Sequence, residues 1–193
     1  VGRPVRPLSP QPLKSGMLRL EIRGLKAMGD RGTEALRGID LQIHGGEILG
    51  LAGVSGNGQR ELAECLAGVR KVTQGSVHLD NLDITAMHLK QRVESGLAYI
   101  PEERMRDGAI REFSVQENVF LHDHASPKYT RGIFLDFPRM RKHAADLVSK
   151  FSVKTPSLDT PIKNLSGGNI QKLILARELS RQPKVLIASQ PTR

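Results

Sequence analysis

An apolar run that leads through a glycine-rich loop into an amphipathic helix is the feature that most constrains this chain. Residues 48–52 form the apolar run, which is typical of a strand buried on both faces of a sheet. A glycine-rich loop follows at 53–58, and apolar residues then recur at helical spacing over 59–69. A strand, a tight loop and a helix in this order indicate an α/β fold with helices around a mainly parallel sheet.

The hydrophobic pattern of the rest of the chain favours the same class. Five further segments are predicted as strands: residues 18–22, 39–43, 76–80, 97–100 and 185–188. Three more are predicted as helices: residues 115–121, 141–151 and 170–180. Strands that alternate with helices predict an α/β architecture.

Composition excludes several classes of protein. The single cysteine, Cys65, rules out a disulfide framework and an all-cysteine zinc site, and its helical position predicts buried packing. An aromatic fraction of 4% without tryptophan argues against binding single strands through stacked bases. No apolar run approaches the ~20 residues that a membrane-spanning helix needs, so we expect a soluble domain. The net charge of +9 suits a polyanionic partner, but a solvated basic surface would give the same value.

The glycine-rich loop has the spacing of a phosphate-binding loop, G-x-x-x-x-G-K-[ST], through Gly53 and Gly58. In such a loop backbone N–H groups converge on a phosphate, and the following helix adds its partial positive charge. Here Gln59 stands at the lysine position and Arg60 at the Ser/Thr position. A tight strand-to-helix turn that needs glycine for steric reasons would show the same pattern, so both interpretations stay open.

A second motif, L-S-G-G-N at residues 165–169, precedes the last predicted helix. By chance L-S-G-G is expected in about one chain in two hundred. Ser166 can cap that helix, while Gly167 and Gly168 let its N-terminal amides approach a phosphate closely. The alternative is an ordinary helix N-cap.

Together these motifs resemble the nucleotide-binding domain of ATP-binding-cassette (ABC) transporters. Residues 53–60 match the Walker A loop, 165–169 the family signature and 185–190 the Walker B strand, while 100–102 match the start of the Q-loop. The resemblance covers about residues 18–193. It is nearest to the second, C-terminal cassette of the tandem ATPases of bacterial sugar and nucleoside importers.

The resemblance implies a fold and a domain organisation. The expected fold is an ABC-type P-loop NTPase core, a mainly parallel sheet with flanking helices, plus an antiparallel β subdomain and a helical subdomain at about 102–165. Residues 1–16, which are rich in proline, would be an interdomain linker. Residues 17–193 would be a cassette that is incomplete at its C-terminus.

The resemblance also implies cofactors, partners and location. ATP and Mg²⁺ would be the cofactors of an ATPase. The partners would be the first cassette of the same chain or a second copy, paired head to tail, together with transmembrane permease subunits and, indirectly, a substrate-binding protein. No nucleic-acid partner is implied. The domain would lie at the cytoplasmic face of the cell membrane as a peripheral protein.

The site residues follow position by position from the matched motifs. The nucleotide-binding positions are Gly53, Ser55, Gly56, Asn57, Gly58, Gln59, Arg60, Ser166, Gly167 and Gly168. The catalytic positions are Gln190, where the Walker B glutamate would stand, and Glu102 in the Q-loop. No residue is assigned to a metal.

Several positions depart from the family pattern. Gln59 cannot supply the charge of the Walker A lysine, and Arg60 has no hydroxyl for Mg²⁺, although its guanidinium can contact a phosphate. Ser189 replaces the aspartate that would anchor Mg²⁺ through water, and the amide of Gln190 is a poor general base. Glu102 puts a carboxylate where the Q-loop has glutamine. Between residues 27 and 37 there is no aromatic ring to stack on adenine.

An intact signature beside a degenerate Walker site predicts a division of labour. The hypothesis is that the signature completes a competent ATP site on the first cassette. The chain's own loop would bind nucleotide weakly or hold it without turnover, with Mg²⁺ weak or absent. A non-hydrolytic, ABC-like interaction or dimerisation domain is the alternative. A nucleic-acid-binding ABC protein is disfavoured, because such proteins usually keep complete ATPase motifs.

Two clusters in the middle of the chain allow two interpretations each. Phe113, Val115, Val119 and Phe120 would line a groove for a helix of the membrane subunit, or else form a local mini-core. His122 and His124 flank Asp123 with a spacing compatible with a metal, but without further ligands nearby we expect exposed loop residues.

Overall fold

The computed structural model describes residues 16–54, 56–123, 126–132 and 134–190. Its larger sheet is antiparallel: β1 (Leu18–Met28) pairs with β2 (Glu34–His44) on one side and with β3 (Gln74–Leu79) on the other. The short β4 (Leu82–Asp83) completes the order β2-β1-β3-β4. The strands predicted at 18–22, 39–43 and 76–80 all overlap these elements. The predicted linker at 1–16 lies almost wholly outside the described residues.

A parallel pair of strands forms the second sheet, and among the described strands the parallel pairing expected for the main sheet is limited to this pair. β5 (Leu97–Ile100) and β8 (Val185–Ala188) pair residue by residue, from Leu97 opposite Val185 to Ile100 opposite Ala188. Both strands have the predicted boundaries. A third pair is a small hairpin of β6 (Thr130–Arg131) and β7 (Phe134–Leu135).

Five α-helices connect these strands within the described residues: α1 (Gln59–Ala67), α2 (Leu89–Glu94), α3 (Val115–Val119), α4 (Phe137–Lys150) and α5 (Gly167–Ser180). A π-helical turn, Arg104–Gly108, follows β5. Helix α4 begins four residues before its predicted start because the Asp136 carboxylate accepts a hydrogen bond from the Arg139 amide at 3.2 Å. None of the described helices is long and apolar enough to cross a membrane.

Apolar side chains gather in two hydrophobic cores. The first lies between the antiparallel sheet, α1 and the parallel strands, and includes Leu20, Leu66, Val77, Leu97 and the buried Cys65. The predicted buried packing of that cysteine is confirmed. The second core joins α3, α4 and α5. It contains Val115, Val119 and Phe120, which are 0%, 3% and 2% exposed, so these three residues form the mini-core and do not line an open groove. Phe113, the fourth residue of the predicted cluster, is 40% exposed and does not belong to this core.

The strand predicted at 48–52 is wrong. Residues 48–54 form no strand, and the side chains of Ile48 and Val54 are 96% and 75% exposed. An apolar run becomes a buried strand only when neighbouring strands take up its backbone hydrogen bonds. Here β5 and β8 pair with each other, and no described strand pairs with 48–54.

Candidate functional site

The glycine-rich loop makes a tight turn into α1. Gly56 and Gly58 have positive φ values of 92° and 94°, which L-residues rarely adopt. A Cβ at Gly58 would lie 2.9 Å from the carbonyl oxygen of Ala35, so the close approach of the loop to β2 also requires glycine. Asn57 closes the turn, donating its amide to the carbonyl of Val54 at 3.2 Å. Ser55 lies outside the described residues.

Gln59 and Arg60, at the two degenerate positions, both take part in contacts within the chain. The Gln59 side-chain amide lies against Gly53, in the space that a side chain there would fill. Arg60 forms a hydrogen-bonded ion pair with Asp30, in the turn between β1 and β2. Its guanidinium also lies 3.6 Å from Glu61 and 3.7 Å from Glu64.

Arg70 extends this ion-pair network. Its guanidinium donates to Asp30 at 2.6 Å, to Glu64 at 2.8 Å and to the Met28 carbonyl at 2.8 Å. Hydrogen bonds from Arg70 and Arg60 lower the pKa of Asp30, so its carboxylate is ionised at neutral pH. Three carboxylates therefore face two guanidinium groups beside the start of α1. The positive charges of Arg60 and Arg70 are therefore balanced by carboxylates of the chain itself.

Glu102 and Gln190 lie together at the carboxyl ends of the parallel strands. Each follows its strand by two residues, and the parallel register places them opposite each other. The amide of Ser189 donates to the carbonyl of Ile100 at 2.9 Å and extends the pairing. Beyond it, the side-chain amide of Gln190 donates a hydrogen bond to the Glu102 carboxylate. The two predicted catalytic positions are thus in direct contact.

The signature forms an exposed turn at the start of α5. Ser166, Gly167 and Gly168 are all exposed, and nothing lies within 4 Å of the position that a Cβ on Gly168 would take. Ser166 occupies the N-cap position as predicted, but its hydroxyl oxygen makes no capping hydrogen bond to a helix amide. It accepts instead from the side-chain amide of Asn169 at 2.9 Å. Helix α5 therefore begins at Gly167, three residues earlier than predicted.

An arginine side chain also contacts the signature turn. Arg104, in the π-helical turn after β5, donates to the carbonyl oxygen of Gly167 at 3.0 Å. It is two residues from Glu102, so a short segment contacts both Gln190 and the signature. The loop residues Gln59 and Arg60 have different partners. The structure thus resolves the predicted residues into a glycine loop, the Glu102–Gln190 pair and the signature turn.

Sequence reasoning missed several residues that shape these groups. Asp30, Glu64, Arg70 and Arg104 reach the site from other elements, and no local pattern marks them. Asn169 was inside the quoted motif without a role. Of the two histidines considered for a metal, His122 lies 3.3 Å from Glu178, and His124 is outside the described residues. Among the described residues no group of three His, Cys, Asp or Glu side chains could hold a metal ion.

The fold and the signature turn define an ATP-binding cassette. Residues 36–193 match the family model described as ABC transporter, and the chain belongs to this family. It is similar in fold to a dimeric ATP-binding cassette in a post-hydrolysis state bound to ADP and Pi, with a TM-score of 0.73 and 23% identity over 90% of this chain and 74% of that one. A nucleotide-free cassette from an ABC transporter gives 0.71 and 20% identity, over 92% of this chain and 70% of that one.

Curated relatives are more similar in sequence. The glucose import ATP-binding protein TsgD13 of Haloferax volcanii is 44% identical over 90% of this chain and 32% of its own length. The nucleoside import ATP-binding protein NupA of Lactococcus lactis is 41% identical over 90% of this chain and 34% of its own length. The chain thus spans about a third of the length of these relatives. The expected ABC cassette fold, α/β with an antiparallel β subdomain and helices, is confirmed.

Proposed function

We propose that this chain is an ATP-binding cassette of an importer for a simple sugar or a nucleoside. The support is family membership together with relatives named for the import of glucose, nucleosides, guanosine and ribose. In this proposal, ATP-driven closure of a cassette pair is transmitted to transmembrane permease subunits. The cassette works at the cytoplasmic face of the membrane as a peripheral subunit, and a substrate-binding protein delivers the solute.

Within this importer the cassette's main contribution is its signature. The observation that carries this step is the contrast between the exposed turn at Ser166–Gly168 and the neutralised loop at Arg60. Amides at the start of a helix attract anions, and glycines let a phosphate approach them closely. The signature would complete a competent ATP site whose Walker A loop lies on a first cassette, in the same chain or in a second copy.

The chain's own loop would be a weak site without turnover. Arg60 is ion-paired, Gln59 has no charge, and Ser189 is a poor anchor for Mg²⁺. The amide of Gln190 cannot take a proton from an attacking water, and it is hydrogen-bonded to Glu102. We therefore expect Mg²⁺ to contribute little at this site. Segments 17–193 and 102–165 remain our proposed cassette and helical subdomain, with 1–16 as the linker.

Ser166→Arg in the full-length protein tests the division of labour. The arginine side chain would fill the turn that a phosphate approaches, so ATP turnover should fall to background. Ser149→Arg, the same substitution at an exposed position of α4, is the matched control and should keep turnover near that of the wild type.

The alternative function is an ABC-like interaction or dimerisation domain without a part in hydrolysis. It predicts that Ser166→Arg leaves ATP turnover of the full-length protein unchanged, which would overturn the proposal. Co-purification with a hydrophobic membrane subunit separates a transport cassette from a nucleic-acid-binding protein, whose retention on DNA or RNA would be steeply salt-dependent.

A further inference from the structure

The side-chain amide of Asn169 bridges two segments of the chain at the signature turn. Its Oδ1 accepts a hydrogen bond from the backbone amide of Lys154 at 2.9 Å, and its Nδ2 donates to Ser166 Oγ at 2.9 Å. The backbone amide of Lys154 can only donate, so the oxygen of the Asn169 amide must face it. The nitrogen must then face Ser166, which fixes the direction of both hydrogen bonds.

This direction determines where the hydroxyl proton of Ser166 points. Because Oγ accepts from Asn169, its own hydrogen lies away from that side chain. Among the described residues Ser166 Oγ donates no hydrogen bond, and the side chain is exposed. The hydroxyl is therefore an oriented donor at the solvent face of the turn. A hydroxyl donor beside the first amides of a helix suits a phosphate oxygen.

A second serine in the same chain shows the ordinary arrangement. Ser114, the N-cap of α3, accepts from the backbone amide of Glu117 at 3.2 Å and donates its hydroxyl proton to the Glu117 carboxylate at 2.7 Å. Both functions of that hydroxyl are used within the helix cap. Ser166 occupies the same N-cap position but uses its hydroxyl for neither. Its arrangement is thus not the one that capping alone requires.

We propose that Asn169 is a positioning residue, which orients the Ser166 hydroxyl as a donor to nucleotide phosphate by linking it to the amide of Lys154. This inference rests on the proposed function of the signature. It adds that the activity of the composite site depends on residue 169 donating a hydrogen bond to Ser166, as well as on the shape of its side chain.

Asn169→Asp in the full-length protein is the sharpest test, because it keeps the shape and replaces the donor with a second acceptor. The introduced carboxylate would still accept from Lys154 but would draw the Ser166 proton inward. We expect ATP turnover to fall about 10- to 100-fold, the effect of losing one hydrogen bond to a charged group. The thermal midpoint is measured alongside, and single-turnover assays at high protein concentration keep slow variants measurable.

The double variant separates positioning from a general structural effect. If Asn169 acts through Ser166, then Asn169→Asp lowers turnover in the wild-type background and changes it less than about twofold in a Ser166→Ala background. Equal losses in both backgrounds, or wild-type turnover in Asn169→Asp, would overturn the inference while the proposed function stands. Wild-type turnover in Ser166→Ala would likewise overturn the inference alone, whereas wild-type turnover in Ser166→Arg would overturn the proposed function and the inference with it.

Discussion

The contacts of Arg60 determine whether its positive charge is available to a phosphate at the glycine-rich loop. It is the one cationic side chain at the degenerate positions, and Asp30 holds it in an ion pair. Hydrogen bonding to Asp30 raises the pKa of Arg60, so the charge is permanent and only its partner can change. A phosphate at this loop must compete with a carboxylate that is already present.

Asp30→Asn should therefore strengthen nucleotide binding by this chain. The substitution leaves a neutral partner for Arg60, so its guanidinium can turn towards a phosphate. A fluorescent ATP analogue, titrated with and without Mg²⁺, should bind about two- to fivefold more tightly than to the wild type. Mg²⁺ should change the affinity of this variant little, because position 189 still holds a serine in place of the aspartate that would anchor the ion.

Glu112→Gln is the matched control for this titration. It removes the same charge from an exposed ion pair with Lys163 in the helical part of the chain. Equal affinities in the two variants would show that net charge alone matters. Micromolar binding by the wild type that requires Mg²⁺ would contradict the degenerate site.

Among the elements, α1 depends on a buried arginine at its C-terminal end. Arg92 of α2 is 1% exposed, and its guanidinium donates to four backbone carbonyls, those of Cys65, Leu66, Thr85 and Met87. Two of these belong to the last turn of α1, where helix carbonyls lack the usual partner four residues on; that of Cys65 also accepts from the Gly68 amide at 3.2 Å. Arg92 thus joins α1 to α2 and to the segment before it.

Arg92→Met should destabilise the chain strongly. Methionine fills similar space but leaves buried carbonyl oxygens without donors, which costs about 3 kcal/mol in the free energy of unfolding by urea. Arg106→Met is the control, since that exposed side chain hydrogen-bonds with its neighbour Asp107 and its loss should cost under about 0.5 kcal/mol. Similar losses in both variants would argue against the buried cap.

The elements also show what could be predicted from the sequence. The strands at 97–100 and 185–188 could be predicted because each is an apolar run of strand length between polar segments. In the fold, each of these two strands is the pairing partner of the other. The apolar run at 48–52 shows the same pattern. Whether such a run pairs in a sheet depends on the other strands, and its own residues do not specify them. The early start of α5 was missed because Gly167 and Gly168 are poor helix formers.

For the site, the sequence contained the motifs but not their contacts. Ser166 and the glycines could be found from one five-residue segment. The partners of Arg60 could not, because Asp30 and Arg70 reach it from other elements and no periodicity links them. The contact between Glu102 and Gln190 follows from strand register, which requires knowing that β5 and β8 are neighbours.

At the scale of the whole molecule, a buried ionic group in the C-terminal half of α5 links this helix to other segments of the chain. Arg177 donates to Glu178 at 2.8 Å and to the carbonyl of Gly108 at 2.9 Å, and His122 lies 3.3 Å from the same carboxylate. Burial raises the pKa of Glu178, but the hydrogen bond from His122 and the charge of Arg177 outweigh it, so the pKa is lowered.

Acid should therefore destabilise the chain through Glu178. A carboxylate whose folded pKa is lowered adds stability above its unfolded pKa, about 4.3, and this stability is lost as the pH falls through the folded value. Glu178→Gln should unfold more easily in urea at pH 7, and its midpoint should fall less between pH 7 and pH 3. Parallel curves for variant and wild type would contradict this role.

The pairing of Glu102 with Gln190 means that substitutions at these two positions are not independent of each other in evolution. Replacing Gln190 by glutamate alone would remove the amide that donates to Glu102 and set two carboxylates side by side, which repel each other. A glutamate at position 190 is therefore tolerated best when position 102 carries a neutral side chain, so the order of substitutions at these two positions matters.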